Sequence, residues 1–262
     1  MAGAGVLPGR AAAEATRQGW RVVAFAFEDA PGLGDHADTV IPSGIDKIQA
    51  VLEGLTAQRV SAALFVGKFW KHRVFARHSQ EADSASRHPA RSGLSDAALA
   101  ETVVGTLSML GIEVLDQRTF LLPWMAEAGV LTARSPSEDE WTEIRQGFSL
   151  ARHLASYGIG QTVVRSLGVT VAVEAIEGTD ETIRRGAHLA GPGAIVVKAA
   201  GSAQDYRFDI PTVGSATLAA MVEGGCTALA MEGGKMLLID REEVIRLADT
   251  HGIAVVGAEE PL

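Results

Sequence analysis

The chain has little of what several classes of protein require. Only one of its 262 residues is cysteine, Cys226, which excludes an internal disulfide and a zinc site built from several cysteines. The formal net charge is −9, which argues against a nucleic-acid binder, because binding to the phosphate backbone needs a basic face. No apolar run approaches the roughly 18 to 20 residues that span a bilayer, and the start lacks the apolar core of a secretion signal. We therefore expect a cytoplasmic globular protein that does not bind nucleic acid.

The first half of the chain alternates short apolar runs with stretches of helical pattern. Residues 20–27 and 62–66 are predicted strands, with a predicted helix over residues 46–57 between them. A helix from Ser95 or Asp96 to Leu110 and a strand over residues 113–115 continue the alternation. This order is typical of an α/β fold with a parallel sheet and crossover helices.

A new pattern begins after Pro136, which is flanked by serines and looks like a linker. We place the domain boundary there, with one domain over residues 1–132 and another over residues 138–262. The second domain is predicted to begin with a helix over residues 138–157 and a hairpin of strands at 162–166 and 170–176. Its remaining predicted elements are helices at 179–190, after Gly214 and at 241–251, and strands at 194–198, 228–231, 236–239 and 253–256.

Three carboxylates lie at the end of the strand that is predicted over residues 170–176: Glu174, Glu177 and Asp180. Carboxylate oxygens that converge at a strand end are suitable ligands for a Mg²⁺–diphosphate complex. Helix capping is an equally physical interpretation, because Thr179 is a good N-cap and acids are favoured in the first turn of a helix.

A second polar segment spans residues 205–214. It is predicted to begin as an extended strand, whose alternation places Asp205, Arg207 and Asp209 on one face, where the cation could bind phosphate and lower the pKa of both acids. The alternative is an exposed edge strand with an ion-pair ladder. Thr212 and Gly214 could form an anion-facing helix entry.

Other candidate binding residues are more weakly indicated. Lys198 ends a predicted strand, where ligands gather in α/β sheets, although a surface lysine fits the sequence as well. Gln161 could bind a base or sugar or be purely structural. Gly3 and Gly5 form a glycine turn before a predicted helix, which could bind phosphate or simply be a tight turn.

The segment from Lys68 to Arg91 is locally basic, with six Lys or Arg residues against two acids. Interleaved aromatic residues suit it to an anionic membrane surface or a diphosphate. A solvated loop is the alternative. The histidine spacing does not match a metal site. The basic residues are Lys68, Lys71, Arg73, Arg77, Arg87 and Arg91.

Taken together, three segments resemble the LpxI family of UDP-2,3-diacylglucosamine pyrophosphatases. They are VAVEAIEGTDETIRR from Val171, VVKAAGSAQDYRFDIPTVGSATL from Val196 and GIGQTVV from Gly158. The resemblance implies two α/β domains, an N-terminal Rossmann-like parallel-sheet domain and a C-terminal mixed domain, with the active site in the cleft between them. It also implies Mg²⁺-dependent hydrolysis of UDP-2,3-diacylglucosamine to UMP and 2,3-diacylglucosamine 1-phosphate (lipid X) in lipid A biosynthesis.

By this resemblance Asp209 is the essential catalytic acid, and Asp209, Glu177 and Asp180 are the candidate Mg²⁺ ligands. The implied protein is a homodimer that associates transiently with the cytoplasmic face of the inner membrane. The expected substrate-binding residues are Gly3, Gly5, Lys68, Gln161, Thr179, Lys198, Arg207, Thr212 and Gly214.

The chain departs from the family pattern at three places. Met1 falls where an apolar strand should just have ended, so we expect either an upstream start or a lost strand. Gly158 stands where an acid is expected before Ile-Gly-Gln, and Ser95-Asp96 stands where paired aspartates are expected.

Two other functions remain open from the sequence. A nicotinamide-dependent oxidoreductase would use the glycine turn and an acid, Glu28 or Asp29, after the strand over residues 20–27. A protein that binds UDP-sugars or acylated sugars without cutting them is the second alternative.

Overall fold

The structure is a computed structural model, and it describes residues 1–69 and 96–259. The chain divides into two compact units. The first consists of Met1–Leu121 together with Tyr206–Phe208, and the second of Leu122–Asp205 together with Asp209–Leu262. No pattern in the sequence indicates that Tyr206–Phe208 belong with the first unit. The predicted domain limits at residues 132 and 138 stay a prediction.

The first unit is built from short parallel strand pairs and helices. Strand β1 pairs with β2, and β3 pairs with β4, both in parallel. The strands are β1 (Val23–Ala26), β2 (Thr39–Pro42), β3 (Ala62–Ala63) and β4 (Glu113–Val114), and the helices are α1 (Leu7–Arg17), α2 (Leu33–His36), α3 (Ile48–Ala57), α4 (Asp96–Met109) and α5 (Arg118–Leu121).

The first residues of the chain lie between these pairs. Ala2 forms parallel bridges to Ala26 on one side and to Val66 on the other. A core that includes Phe25, Leu55 and Leu107 packs within this unit. The parallel pairing agrees with the prediction for the first half, whereas a Rossmann-like class for this unit stays a prediction.

The second unit contains a mixed six-stranded sheet in the order β5-β12-β10-β8-β6-β7. Strands β8, β10 and β12 are mutually parallel, while β5, β6 and β7 run antiparallel to their neighbours. The strands are β5 (Gly129–Val130), β6 (Thr162–Ser166), β7 (Val169–Val173), β8 (Ile195–Lys198), β9 (Thr212–Val213), β10 (Ala228–Glu232), β11 (Leu237–Leu238) and β12 (Ala254–Ala258). The helices are α6 (Glu138–Ser156), α7 (Thr179–Ala190), α8 (Ser215–Glu223) and α9 (Arg241–Thr250).

The central strands of this sheet are covered on both faces. In β8, Val196 belongs to one buried cluster and Val197 to another, because successive side chains point to opposite faces. Helix α6 supplies Phe148 to the cluster that contains Val197. This helix begins with a capping box in which Ser137 and Glu140 exchange hydrogen bonds. Burial on both faces explains why these strands read as continuous apolar runs in the sequence.

Most predicted elements of the second half are confirmed to within a few residues, and β6 and α7 have the predicted bounds. Two residues of left-handed backbone, Leu167 and Gly168, form the tight hairpin turn between β6 and β7. Within residues 1–69 and 96–259, no helix has both the length and the apolar character needed to cross a membrane.

Candidate active site

The ends of three adjacent strands of the second unit lie side by side at one end of the six-stranded sheet. Thr162, at the start of β6, pairs with Lys198, at the end of the antiparallel neighbour β8. Glu174 directly follows β7, and its N–H donates to the Thr162 carbonyl at 2.8 Å. Gln161 precedes β6, so Gln161, Glu174 and Lys198 are held together by the sheet itself.

Lys198 is a buried cation that is fully surrounded by protein. Its side chain is only 5% exposed, and its ammonium nitrogen lies 3.7 Å from the Glu174 carboxylate. The ammonium donates to the hydroxyl of Thr179 at 2.6 Å and to that of Thr162 at 3.3 Å. The Thr179 hydroxyl in turn donates to Glu174 at 3.0 Å. These contacts neutralise a lysine and a glutamate that burial would otherwise destabilise.

The pKa of Glu174 reflects this balance. Burial acts to raise the pKa, but the charge of Lys198 and hydrogen bonds from Thr162, Thr179 and the Gln161 backbone together hold it below its ordinary value. Glu174 is therefore a carboxylate at neutral pH.

Asp209 is an exposed carboxylate beside this buried pair. The side-chain amides of Gln161 and Gln204 donate to the same oxygen, Oδ2, at 3.2 and 3.3 Å. Within the part of the chain that the structure describes, Oδ1 accepts no hydrogen bond and Asp209 has no ion-pair partner. The arrangement orients the carboxylate and leaves one oxygen open.

Gln161 connects the buried pair with the exposed acid. Its backbone N–H donates to Glu174 at 3.3 Å, and its side chain contacts Asp209. Gln204 adds a second bond to the Asp209 backbone carbonyl at 2.9 Å. The resulting group consists of Asp209, Gln161, Gln204, Glu174, Lys198, Thr162 and Thr179, and we call it the Asp209 cluster.

The predicted extended strand over residues 205–209 is wrong. The segment is a turn, closed by the Asp209 N–H that donates to the Asp205 carbonyl at 3.2 Å. Residues in a turn do not alternate between two faces, so Asp205, Arg207 and Asp209 do not share one. Instead Arg207 forms an ion pair with Glu101 at 3.2 Å, and Phe208 packs against Phe65, all within the first unit.

The structure also does not assemble the predicted set of three Mg²⁺ ligands. Among residues 1–69 and 96–259, no three His, Cys, Asp or Glu side chains lie close enough together to hold a metal ion. Glu177 is bound by Arg185 at 2.6 Å, and Asp180 accepts from Thr217 on α8 at 3.1 Å. Each acid therefore serves a separate structural contact, and Asp209, Glu177 and Asp180 do not form one cluster.

Capping accounts for less of this segment than the sequence indicated. The N-cap of α7 is Gly178, with φ 86° and ψ 172°, and no side chain caps the helix. Thr179 is the first helical residue, so its hydroxyl is available to Lys198 and Glu174. Only glycine adopts the Gly178 conformation readily, which explains its place at the loop-to-helix junction.

Known proteins resemble this chain along almost its whole length. The model of the LpxI N-terminal domain matches residues 1–123, and that of the LpxI C-terminal domain matches residues 127–256. The UDP-2,3-diacylglucosamine pyrophosphatase LpxI of Caulobacter vibrioides is 29% identical over an alignment 276 positions long. The alignment covers 99% of this chain and 96% of the relative. The chain belongs to the LpxI family.

A second group of relatives shares only part of the LpxI-family chain. The bifunctional purine biosynthesis protein PurH of Bacillus cereus strains B4264 and AH187 is 31% identical over 144 residues. These cover 54% of this chain but 24% of PurH, so the similarity does not extend to most of that protein.

In the first unit of this LpxI-family protein, the predicted phosphate loop has its donors occupied. The N–H groups of Gly3, Ala4 and Gly5 donate to the carbonyls of Val66, Lys68 and Asp29 at 2.8 to 3.1 Å. A Cβ at Gly3 would lie 2.9 Å from the Gly67 backbone, so close chain packing requires glycine there. This favours the tight-turn interpretation for Gly3 and Gly5 and gives the dinucleotide alternative no support.

Two further predicted residues have local structural contacts. The Thr212 hydroxyl donates to the Ile210 carbonyl at 2.9 Å. The φ of Gly214 is −154°, which is extended backbone that any residue adopts. A Cβ there would lie 2.7 Å from Ile239, so tight packing is the reason for glycine.

The basic segment is described only at its beginning. Lys68 is exposed and pairs through its backbone with Ala4. The predictions for Lys71, Arg73, Arg77, Arg87 and Arg91 lie outside the described residues.

Three members of the Asp209 cluster were absent from the predicted site: Glu174, Thr162 and Gln204. The sequence indicates Glu174 only as one of three acids at a strand end. Its pairing with Lys198 depends on which strands are neighbours in the sheet, and a single sequence does not specify that. One signal in the sequence could have indicated these residues: a polar residue stands at the end of each apolar run. Ligand-binding groups gather at the ends of strands in α/β sheets.

Proposed function

We propose that this LpxI-family chain hydrolyses the diphosphate of UDP-2,3-diacylglucosamine to UMP and 2,3-diacylglucosamine 1-phosphate, a step of lipid A biosynthesis. The observation that carries the proposal is the exposed Asp209 carboxylate, whose Oδ2 is oriented by two glutamine amides and whose Oδ1 has no partner among the described residues. It occurs in a chain that matches a relative of that named activity over 99% of its length.

The reaction places specific demands on the residues around the diphosphate. A water oxygen bonds to phosphorus, the bridging P–O bond breaks, and the bridging oxygen leaves on the other phosphate. The attacking water must give up a proton. Asp209 is the proposed acceptor or orienting group for that water, since a carboxylate with one open oxygen can take a hydrogen bond from it.

The donor set at Asp209 also fits Mg²⁺. This ion takes one or two carboxylates in a protein and fills its other positions with water and substrate phosphate oxygens. Asp209 is the residue that we propose would hold the ion, as the alternative to contacting the water directly. Glu177 and Asp180 are weaker proposals, because Arg185 and Thr217 already engage them. When bound, Mg²⁺ would offset negative charge that develops on the phosphoryl oxygens.

Lys198 has an indirect role in this proposal. Its ammonium is held by two threonine hydroxyls and Glu174, so we propose that it positions these groups and does not itself clamp phosphate. Through Glu174 and the Gln161 backbone it helps to fix the amide that orients Asp209. Thr179 and Gln161 are the proposed contacts closest to substrate.

The proposed location of the enzyme follows from the proposed substrate. A diacylated sugar nucleotide combines a polar head with apolar chains, so we propose transient binding at the cytoplasmic face of the inner membrane. We also propose a homodimer, and size-exclusion chromatography with light scattering tests it directly.

The test of the function is release of UMP from purified UDP-2,3-diacylglucosamine. We expect turnover with Mg²⁺ and loss of turnover after EDTA treatment that added Mg²⁺ restores. UDP-N-acetylglucosamine serves as the control substrate. Absence of UMP release from the diacylated substrate under all of these conditions would refute the proposal.

A further inference from the structure

Three large apolar side chains beside the Asp209 cluster are exposed. Tyr157 is 79% exposed, Ile159 is 48% exposed and Ile176 is 81% exposed. Single exposed apolar residues are common on protein surfaces, but several that occur together indicate a binding surface.

These side chains belong to two loops that touch. Tyr157 and Ile159 lie between α6 and β6, and Ile176 lies between β7 and α7. The loops meet at Gly160, where an added Cβ would fall 2.1 Å from the Glu174 carbonyl oxygen. The Gln161 N–H reinforces this contact through its bond to the Glu174 carboxylate at 3.3 Å.

The same two loops carry the polar groups of the Asp209 cluster. Gln161 follows Ile159 by two residues, and Glu174 precedes Ile176 by two. Exposed apolar side chains therefore lie within a few residues of groups that are proposed to act on a diphosphate. This combination suits a ligand with a charged head and an apolar chain.

We infer that Tyr157, Ile159 and Ile176 form an apolar lip that binds an acyl chain of the substrate and sets the preference for acylated over non-acylated sugar nucleotides. This inference rests on the proposed function, because it assigns the acyl end of that substrate to a surface. No metal or proton transfer is involved, since the lip acts by removing apolar area from water.

Position favours a substrate chain over the bilayer surface as the occupant. Ile159 and Ile176 each lie two residues from a group of the Asp209 cluster, Gln161 and Glu174. A substrate whose diphosphate lies at Asp209 therefore carries its acyl chains to these loops, and no second ligand is needed to cover them.

The chain offers a matched control for the lip. Leu167 is 94% exposed at the turn between β6 and β7, which is the opposite end of the same hairpin. Replacing it removes a similar exposed apolar side chain far from Gln161 and Glu174. Any effect of lost surface hydrophobicity in general would appear in both variants.

The experiment compares the wild type, the triple variant Tyr157→Ser/Ile159→Ser/Ile176→Ser and Leu167→Ser on UDP-2,3-diacylglucosamines with long and short acyl chains. We expect the triple variant to raise KM for the long-chain substrate by about tenfold or more, with kcat within about twofold, because lost apolar burial weakens ground-state binding. Short-chain KM should change little, and Leu167→Ser should match the wild type. Circular dichroism checks the fold of each variant.

Two results would overturn the lip. One is an unchanged ratio of long-chain to short-chain KM in the triple variant. The other is an equal shift in Leu167→Ser. Loss of binding to phosphatidylglycerol vesicles with unchanged KM would assign these residues to the bilayer instead and would equally reject the inference.

A second measurement separates failure of the lip from failure of the proposed function. Calorimetric titration with long-chain 2,3-diacylglucosamine 1-phosphate needs no turnover. Suppose that the wild type shows no hydrolysis and yet binds this lipid at least about tenfold more tightly than the triple variant does. The proposed function is then rejected, and the assignment of the lip is supported. Equal binding by both proteins rejects the lip whatever the turnover.

Discussion

At the scale of residues, the Asp209 cluster contains an inner part and an outer part with different physical tasks. The inner part is the buried pair of Lys198 and Glu174, whose side chains are 5% and 12% exposed. The outer part is Asp209 with its two glutamine amides. Gln161 belongs to both, so a change in the buried pair should be transmitted to the exposed carboxylate.

Removal of the buried cation tests how much the pair contributes to stability. Lys198→Met leaves Glu174 charged and buried without its partner, which should lower the free energy of unfolding by about 3 kcal/mol or more. Lys198→Met/Glu174→Gln removes both charges and should recover at least half of that loss. Urea unfolding measures both. A single variant as stable as the wild type would show that the pair carries no such energy.

The sequence identified several of these residues but misjudged their geometry. Gln161, Lys198, Thr179 and Asp209 were predicted site residues, and the structure brings all four together. Arg207 was placed beside Asp209 on the assumption of a strand. The period of two holds only in extended backbone, and the turn at residues 205–209 removes it.

At the scale of elements, the two loops of the candidate site depend on one close approach. Gly160 lies so near the Glu174 carbonyl that any side chain would force the loops apart. Since Gln161 is the next residue, separation of the loops should also disturb the hydrogen bond to Asp209.

Gly160→Ala should therefore lower kcat by about tenfold or more and cost about 1–3 kcal/mol of stability, as overpacking usually does. Gly105→Ala is the matched control, because Gly105 is exposed within α4 and a Cβ there meets nothing within 4 Å. It should raise stability by about 0.5–1 kcal/mol without changing kcat. Full activity in Gly160→Ala would contradict the account of this contact.

Elements were predictable where one local signal dominated. Helix α7 and the β6–β7 hairpin follow from a clear apolar period and a Leu-Gly turn. The strands of the first unit are shorter than predicted: β1 covers Val23–Ala26 where residues 20–27 were expected. Apolar character predicts burial, but strand length depends on which neighbours supply hydrogen-bond partners, and a single sequence does not specify those.

At the scale of the whole molecule, several carboxyl groups have pKa values below their ordinary range. Burial opposes this at Glu140 and Glu174, but Arg134 and Lys198, respectively, together with hydrogen bonds, outweigh it. A carboxyl with a depressed folded-state pKa stabilises the protein above its unfolded pKa, about 4.3. That stability is lost as pH falls through the folded value.

The free energy of unfolding should therefore fall as pH drops below about 4.5, because the unfolded chain then binds more protons than the folded one. Urea unfolding at a series of pH values measures the slope. Glu174→Gln should show a smaller loss over the same interval. Stability that stays constant or rises down to about pH 3 would contradict the prediction.

The resemblance identified the family from three segments, and the two domain models that cover residues 1–123 and 127–256 confirm it. Local pattern alone predicted an α/β protein with a parallel sheet in its first half but could not choose between a pyrophosphatase, an oxidoreductase and a binding protein. That choice depends on which side chains meet in space, and on the open oxygen of Asp209 in particular.

The proposed role of Asp209 is in the reaction and not only in the fold. Its most direct test is kcat for UMP release by Asp209→Asn, with Asp205→Asn, from the same turn, as the control. We predict a loss of about 10²-fold or more for Asp209→Asn with substrate still bound, and nearly normal turnover for Asp205→Asn. Equal and mild effects of the two substitutions would contradict the assignment.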